Sequence, residues 1–195
     1  MQAFSGGRLA FDADGTWAEL GVVQEPLLQQ WLREPYLQRM PPKSTGRELY
    51  GADDLKRRLA ALGLMLPAAG DGGLEPAPGA VADALATLTA FSAAAIAQDL
   101  ARHPASPLEL VVAGGGSRNR PLMRQLRQRC PGLWLRPLAE LGLAEDHREA
   151  LAFALLAWWH WRNHPGSLPS VTGASRAAVL GMRAMPASGS QPWRE

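Results

Sequence analysis

The chain has 195 residues, of which 47% are apolar and 19% charged, and a formal net charge of +2 at pH 7. These values describe a single domain with enough chain to bury a core, and they exclude the low-hydrophobicity, high-charge regime of disorder. Lys and Arg are interspersed with Asp and Glu and form no basic run or stripe, so nothing argues for a nucleic-acid partner.

The opening MQAFSGGRLAFDADG has no basic segment followed by an apolar one, so no signal peptide is expected. Asp12-Ala-Asp-Gly15 reads as a turn from its Asp-Gly pair. PLLQQWLREPYL then places Leu27, Leu28, Trp31 and Leu32 at helical spacing, and Pro35 should end or kink that helix. A Pro-Pro-Lys-Ser-Thr-Gly loop leads into a short amphipathic helix, Ala52 to Leu64, rich in Lys and Arg. Lys43, Ser44 and Thr45 bear a superficial likeness to a P-loop, but that motif's preceding glycines are absent. Residues 66–80 concentrate Gly and Pro heavily enough to predict a surface loop or linker.

From Asp83, an N-cap candidate, DALATLTAFSAAAIAQDLA predicts an alanine-rich helix whose small residues let another element pack close. Leu108 to Ala113 is a short apolar run between Pro107 and three glycines, which predicts a buried strand. A glycine turn and a helix follow, with Asn119 as N-cap and Pro121 in the first turn. Cys130, the only cysteine, leaves no disulfide framework and no partner at metal-ligand spacing, so a reduced cytoplasmic setting is the simplest expectation. Leu133 to Arg136 then reads as a second parallel strand, completing a βαβ unit. In such a unit the loop after the first strand faces the ligand crevice, where glycines free backbone for a purine ring or a phosphate. A tight turn alone accounts for Gly114 to Gly116 equally well.

DHREALAFALLAWWHWR opens with Asp146-x-x-Glu149. A capping box is the simpler local reading, and a carboxylate that holds a sugar hydroxyl or a water in a cleft is the alternative. The apolar run at 150–159 is too short to span a bilayer and reads as a core helix, so no membrane association is expected. Trp158, Trp159 and Trp161 cover more than one face of it, so at least one must lie against another element or a partner. His160 and His164 have the spacing of a zinc-binding HExxH helix but lack its Glu; no metal site is assigned, and charge at a helix C-terminus is the ordinary explanation.

Five blocks in order, PYLQRMPPKSTGRELY (35–50), DALATLTAFSAAAIA (83–97), VVAGGGSRNRPLM (111–123), EALAFALLA (149–157) and SLPSVTGASRAAVLG (167–181), resemble the successive signatures of the anhydro-N-acetylmuramic acid kinases. The resemblance implies an α/β fold: a helix-rich, ribonuclease H-like C-terminal lobe of the actin-like, hexokinase-like ATPase superfamily. Residues 1–186 would form that lobe, without the first strands of its sheet, and 187–195 a flexible tail. The implied reaction uses ATP, with Mg2+, to open 1,6-anhydro-N-acetylmuramic acid with water and phosphorylate it to N-acetylmuramic acid 6-phosphate, in bacterial cell-wall recycling.

By the resemblance, Gly114, Gly115, Gly116 and Asn119 fall on the nucleotide-binding motif, and Glu149 matches a glutamate near the sugar site. Thr87, Thr89 and Ser92 match polar positions of a cleft-side helix, although local bonding to helix carbonyls explains each as well. Lys43, Ser44, Thr45 and Arg47 lie in the most recognisable block with no derivable role. No segment resembles the family's glycine- and Ser/Thr-rich phosphate loop, or the Asp-Thr-Gly-Pro segment whose aspartate would serve as general base. Asp12 and Asp14 belong to the following block and do not replace it, so no catalytic residue is assigned.

Turnover by the chain alone is therefore expected to be negligible, and a missing N-terminal lobe or a homodimer partner is implied. The chain reads either as the C-terminal lobe of a kinase or as a non-catalytic nucleotide- or partner-binding module descended from one.

Overall fold

The computed structural model describes residues 1–2, 4–5, 7–66, 78–102, 107–144 and 147–184. The chain divides into two compact units, one formed by residues 1–40 and 45–148, the other by 41–44 and 149–195. The helix-rich α/β character expected from the sequence is present, with a two-stranded parallel sheet.

In the first unit, α1 (Thr16–Leu20), α2 (Glu25–Trp31), α3 (Pro35–Gln38) and α4 (Ala52–Ala61) precede the long α5 (Pro78–Arg102). Then follow β1 (Glu109–Val112), α6 (Arg120–Arg129) and β2 (Trp134–Pro137), the predicted βαβ unit, with Leu110 opposite Leu135 and Val112 opposite Pro137; the expected buried strand is not buried, since only the Leu110 and Val112 face packs on the core and Val111 on the other face is exposed. Pro35 both separates α2 from α3 and opens α3, because its fixed φ suits a first helical turn and its ring forbids continuation. The basic helix is shorter than expected, ending at Ala61 before Gly63 takes φ +73°. The predicted 66–80 loop lies outside the described residues for 67–77, and α5 already begins at Pro78.

Asp83 is therefore not a cap. It stands inside α5, where its carboxylate accepts the Val22 N–H at 2.6 Å from the α1–α2 connection. Gly21 in that connection is obligatory, since a Cβ there would fall 2.0 Å from the Ala82 carbonyl oxygen. α5 carries the core. Ala93 closes a cluster with Met123, Leu126 and Leu135; Ala90 and Ala94 close one with Leu28; Ala84 closes one with Leu59 and Leu64. Gly79–Arg102 is long and apolar enough to cross a bilayer, but half of its most apolar stretch is buried in the protein, as a core helix requires.

Beside α5 a charge is buried. Arg58 is 1% exposed, donates from Nε to Asp54 and from Nη2 to Glu34, each at 2.7 Å, and its guanidinium lies 4.2 Å from the Phe91 ring centroid and 4.8 Å from that of Trp31. Two carboxylates and two ring faces compensate the cation, with Arg57 as a second donor to both carboxylates. Among the described residues, Nη1 of Arg58 and the buried hydroxyl of Tyr50 have no hydrogen-bond partner.

The second unit contains α7 (Arg148–Trp161), whose first residue belongs to the first unit, and α8 (Pro169–Thr172). The expectation of a core helix at 150–159 fails: no residue of α7 is buried. One side is covered by the unit's own chain, through His160 Nδ1 at 2.9 Å from the Leu180 carbonyl oxygen and the Trp159 ring 5.3 Å from that of His164. Leu151, Leu155 and Trp158, on the other side, are exposed.

Two outcomes follow for the first unit. Arg58→Ala strands Glu34 and Asp54 and opens a cavity between two rings, so urea unfolding followed by tryptophan fluorescence should show a loss of about 3 to 5 kcal/mol. Burial, and next the Glu34 carboxylate, push the Tyr50 phenol above its ordinary value. A raised folded pKa means that the fold holds the proton more tightly than the unfolded chain does. The stabilisation is complete below about pH 10, the unfolded value, and is lost as pH rises through the folded one. Tyr50→Phe should remove that alkaline loss and, by deleting an unpartnered hydroxyl, leave neutral-pH stability equal or higher by about 1 kcal/mol.

Candidate functional site

β1 ends at Val112, and the chain turns through Gly114, Gly115 and Gly116 into α6. Gly114 has φ +79° and ψ −174°, a region open in practice only to glycine. The Ser117 hydroxyl donates to the Gly114 carbonyl at 2.7 Å and closes the turn. Asn119 caps α6 as the sequence predicts, its Oδ1 accepting the Leu122 N–H at 2.9 Å, and Pro121 sits in the first turn.

The three glycines are not equivalent. Only Gly114 needs a positive φ, and at Gly114 and Gly115 an added Cβ would meet nothing within 4 Å; at Gly116 it would meet only Leu122 Cδ2 at 3.5 Å. Turn geometry thus explains Gly114 and leaves Gly115 and Gly116 as exposed bare backbone at the C-terminal end of a parallel strand, where α/β sheets take their ligands. This is a surface that a flat ring or a phosphate can approach closely.

The Asp12–Gly15 turn packs on the same helix start. A Cβ at Gly15, which has φ +75°, would lie 2.5 Å from Asn119 Oδ1 and 2.7 Å from Pro121 Cδ. Asp12 itself caps α1, its two carboxylate oxygens accepting the Trp17 and Ala18 N–H groups at 2.9 Å each, so its work is structural.

The remaining sequence candidates fall elsewhere. Thr87, fully buried, donates to the Asp83 carbonyl at 2.7 Å and accepts the Gln24 N–H at 3.0 Å, so it bonds locally and also ties α2 to α5. Ser92 donates to the Leu88 carbonyl at 3.1 Å, and Thr89 is half-buried on the same helix. The 35–50 block is divided: residues 41–44 belong to the second unit, while Arg47 and Tyr50 line a cleft of about 600 Å³ in the first, with Arg58, Phe91 and Ser92. That grouping was hidden in the sequence, since only the fold brings residues 47–50 beside α5.

Glu149 is exposed in the first turn of α7, in the second unit, and Asp146 of the expected capping box lies outside the described residues. Among the described residues no group of three His, Cys, Asp or Glu is placed to hold a metal ion. Burial pushes the Cys130 thiol up, away from a reactive thiolate.

The family model for anhydro-N-acetylmuramic acid kinase matches residues 2–186. Curated relatives of that name include one from Synechococcus sp. (strain WH7803), 54% identical over 191 residues, covering 96% of this chain and 46% of the relative. Others come from Parasynechococcus marenigrum (strain WH8102), 51% identical, and Prochlorococcus marinus (strain MIT 9303), 50% identical, each covering 96% of this chain and 47% of the relative. The chain spans about half the length of the curated relatives it matches.

The glycine geometry predicts a split in stability. Gly114→Ala should cost about 1 to 3 kcal/mol, the strain of a glycine-only conformation. Gly115→Ala should stay within about 0.5 kcal/mol of the parent, as a surface change without strain. Thermal unfolding of the two variants side by side measures the difference.

Proposed function

The chain belongs to the anhydro-N-acetylmuramic acid kinase family, and from that premise we propose that it is the C-terminal portion of an ATP-dependent kinase for 1,6-anhydro-N-acetylmuramic acid. In this reading residues 1–186 form a ribonuclease H-like lobe of an actin-like ATPase, without the first strands of its sheet, and 187–195, outside the described residues, form a tail. The observation that carries the reading is the glycine turn at the end of β1: its Gly115 and Gly116 are exposed with no steric demand of their own.

The chain's own residues divide the work. Gly114 sets the turn, while Gly115 and Gly116 offer backbone without side chains to the nucleotide. Asn119 spends its carbonyl oxygen on the α6 cap, so its amide NH2 is the group it can present to a ligand. Glu149, exposed at the head of α7, is the carboxylate that would hold a hydroxyl of the amino sugar and orient it. ATP, bound with Mg2+, supplies the phosphoryl group.

Neither a phosphate loop nor a general-base aspartate is supplied by these residues. Phosphoryl transfer depends on positioning and on electrostatic stabilisation of the phosphates, so the 195-residue chain by itself should be close to inactive.

The test is ATP-dependent phosphorylation of 1,6-anhydro-N-acetylmuramic acid by two proteins: the 195-residue chain, and the same chain joined to the remaining part of the Synechococcus relative. Product should form only with the joined chain. Glu149→Ala should lower its kcat/KM about 100-fold, and Gly115→Leu should raise its KM for ATP about tenfold without unfolding it. A folded joined chain that makes no product, or one indifferent to both substitutions, would contradict the proposal.

A further inference from the structure

The cleft between α4 and α5 carries more hydrogen-bond donors than acceptors. Its volume is about 600 Å³, it lies wholly within the first unit, and Leu37, Leu55, Leu88 and Phe91 give it an apolar wall. Three polar groups on that lining have no partner among the described residues: the Arg47 guanidinium, Nη1 of Arg58 and the Tyr50 hydroxyl. Asp54, the lining carboxylate, is already engaged, because its two oxygens accept from Arg57 and Arg58. Ser92 gives its hydroxyl proton to the Leu88 carbonyl. Arg58 is 1% exposed and clamped by Glu34 and Asp54, so its bare N–H cannot turn out to water, and a buried donor left in that condition calls for a reason.

We propose that this cleft binds a small organic acid, an apolar body carrying one carboxylate, at a site that shares no residue with the glycine turn. Charge selects the head group. Arg57 and Arg58 are balanced by Glu34 and Asp54, and Arg47 adds one uncompensated positive charge, so a single anion completes the lining and a metal cation is repelled. Donor count selects it further. A carboxylate accepts about four hydrogen bonds and matches three donors, two of them guanidinium groups, whereas a neutral carbonyl accepts only about two. The apolar wall argues against a phosphate, whose second charge it would desolvate without compensation. Arg47 is exposed and meets the anion first; Tyr50 is half-buried, and a small turn of its ring brings the hydroxyl to the same oxygens.

The experiment is an amide nuclear magnetic resonance titration of 4-phenylbutyrate, without nucleotide or sugar, into the 195-residue chain and into the same chain joined to the remaining part of the Synechococcus relative. Signals of Gly51, Ala52, Leu88 and Ser92 should shift together and saturate alike in both proteins, while those of Gly115 and Gly116 stay in place. 4-Phenylbutyramide, the same body without the charge, should bind at least about tenfold more weakly. Arg47→Ala, a surface change, and Tyr50→Phe, which deletes an unpartnered hydroxyl, should each weaken the carboxylate about tenfold and leave the rest of the spectrum as it is.

No saturation by about 10 mM would overturn the proposal, as would equal binding of the amide or indifference to both substitutions. Binding by the 195-residue chain that vanishes in the joined chain would also overturn it, since the cleft would then be a surface that polypeptide covers. Should one of the two proteins give no dispersed spectrum, the other decides by the same criteria.

Discussion

Close approach to α5 is the constraint from which the first unit is built. Each of the three buried clusters closes on one or two alanines of this helix: Ala84, Ala90 with Ala94, and Ala93. A methyl group there lets Leu28, Leu59 and Leu126 come close to the backbone, and it gives α5 neighbours on several sides without bulky knobs of its own. The same closeness requires Gly21 where the α1–α2 connection meets Ala82. It also recruits Asp83 and Thr87 to satisfy the Val22 and Gln24 N–H groups, which a tightly packed connection would otherwise leave unpaired.

With that wall in place, the βαβ unit is held by burial of one face. Leu110, Val112, Met123, Leu126 and Leu135 close around Ala93, and this fixes where β1 must end. The glycine turn therefore emerges at a set place, with Asn119 capping α6 and the Asp12–Gly15 turn packed behind it. The chain on either side of the turn is committed to packing, while a Cβ at Gly115 would meet nothing within 4 Å and one at Gly116 only Leu122 Cδ2. Positions freed from structural duty beside a well-braced turn are where a ligand can be accommodated at little cost to the fold.

Much of this was legible in the sequence where the signal is local. The glycine run after an apolar tetrapeptide, the Asn-Arg-Pro helix start and the parallel partner strand follow from backbone preferences that act within a few residues. Long-range requirements were hidden. Asp83 has the composition of a cap, but Pro78 opens the helix a turn earlier and the carboxylate serves a chain segment 61 positions away. Arg58 looks like one more charge on a basic helix, and nothing local announces that Glu34, Asp54, Trp31 and Phe91 converge on it. α7 departs from expectation for a different reason: apolar composition marks a helix suited to burial and does not say what packs against it.

The most direct test of the central claim, that nucleotide lies on the glycine turn, is an ATP titration of the isotopically labelled chain joined to the rest of its Synechococcus relative, followed by amide nuclear magnetic resonance. The account predicts that the Gly115, Gly116 and Asn119 signals shift together and saturate, while those of the α2–α4 region stay in place. Saturable shifts confined to other segments, with the glycine amides unmoved, would contradict it.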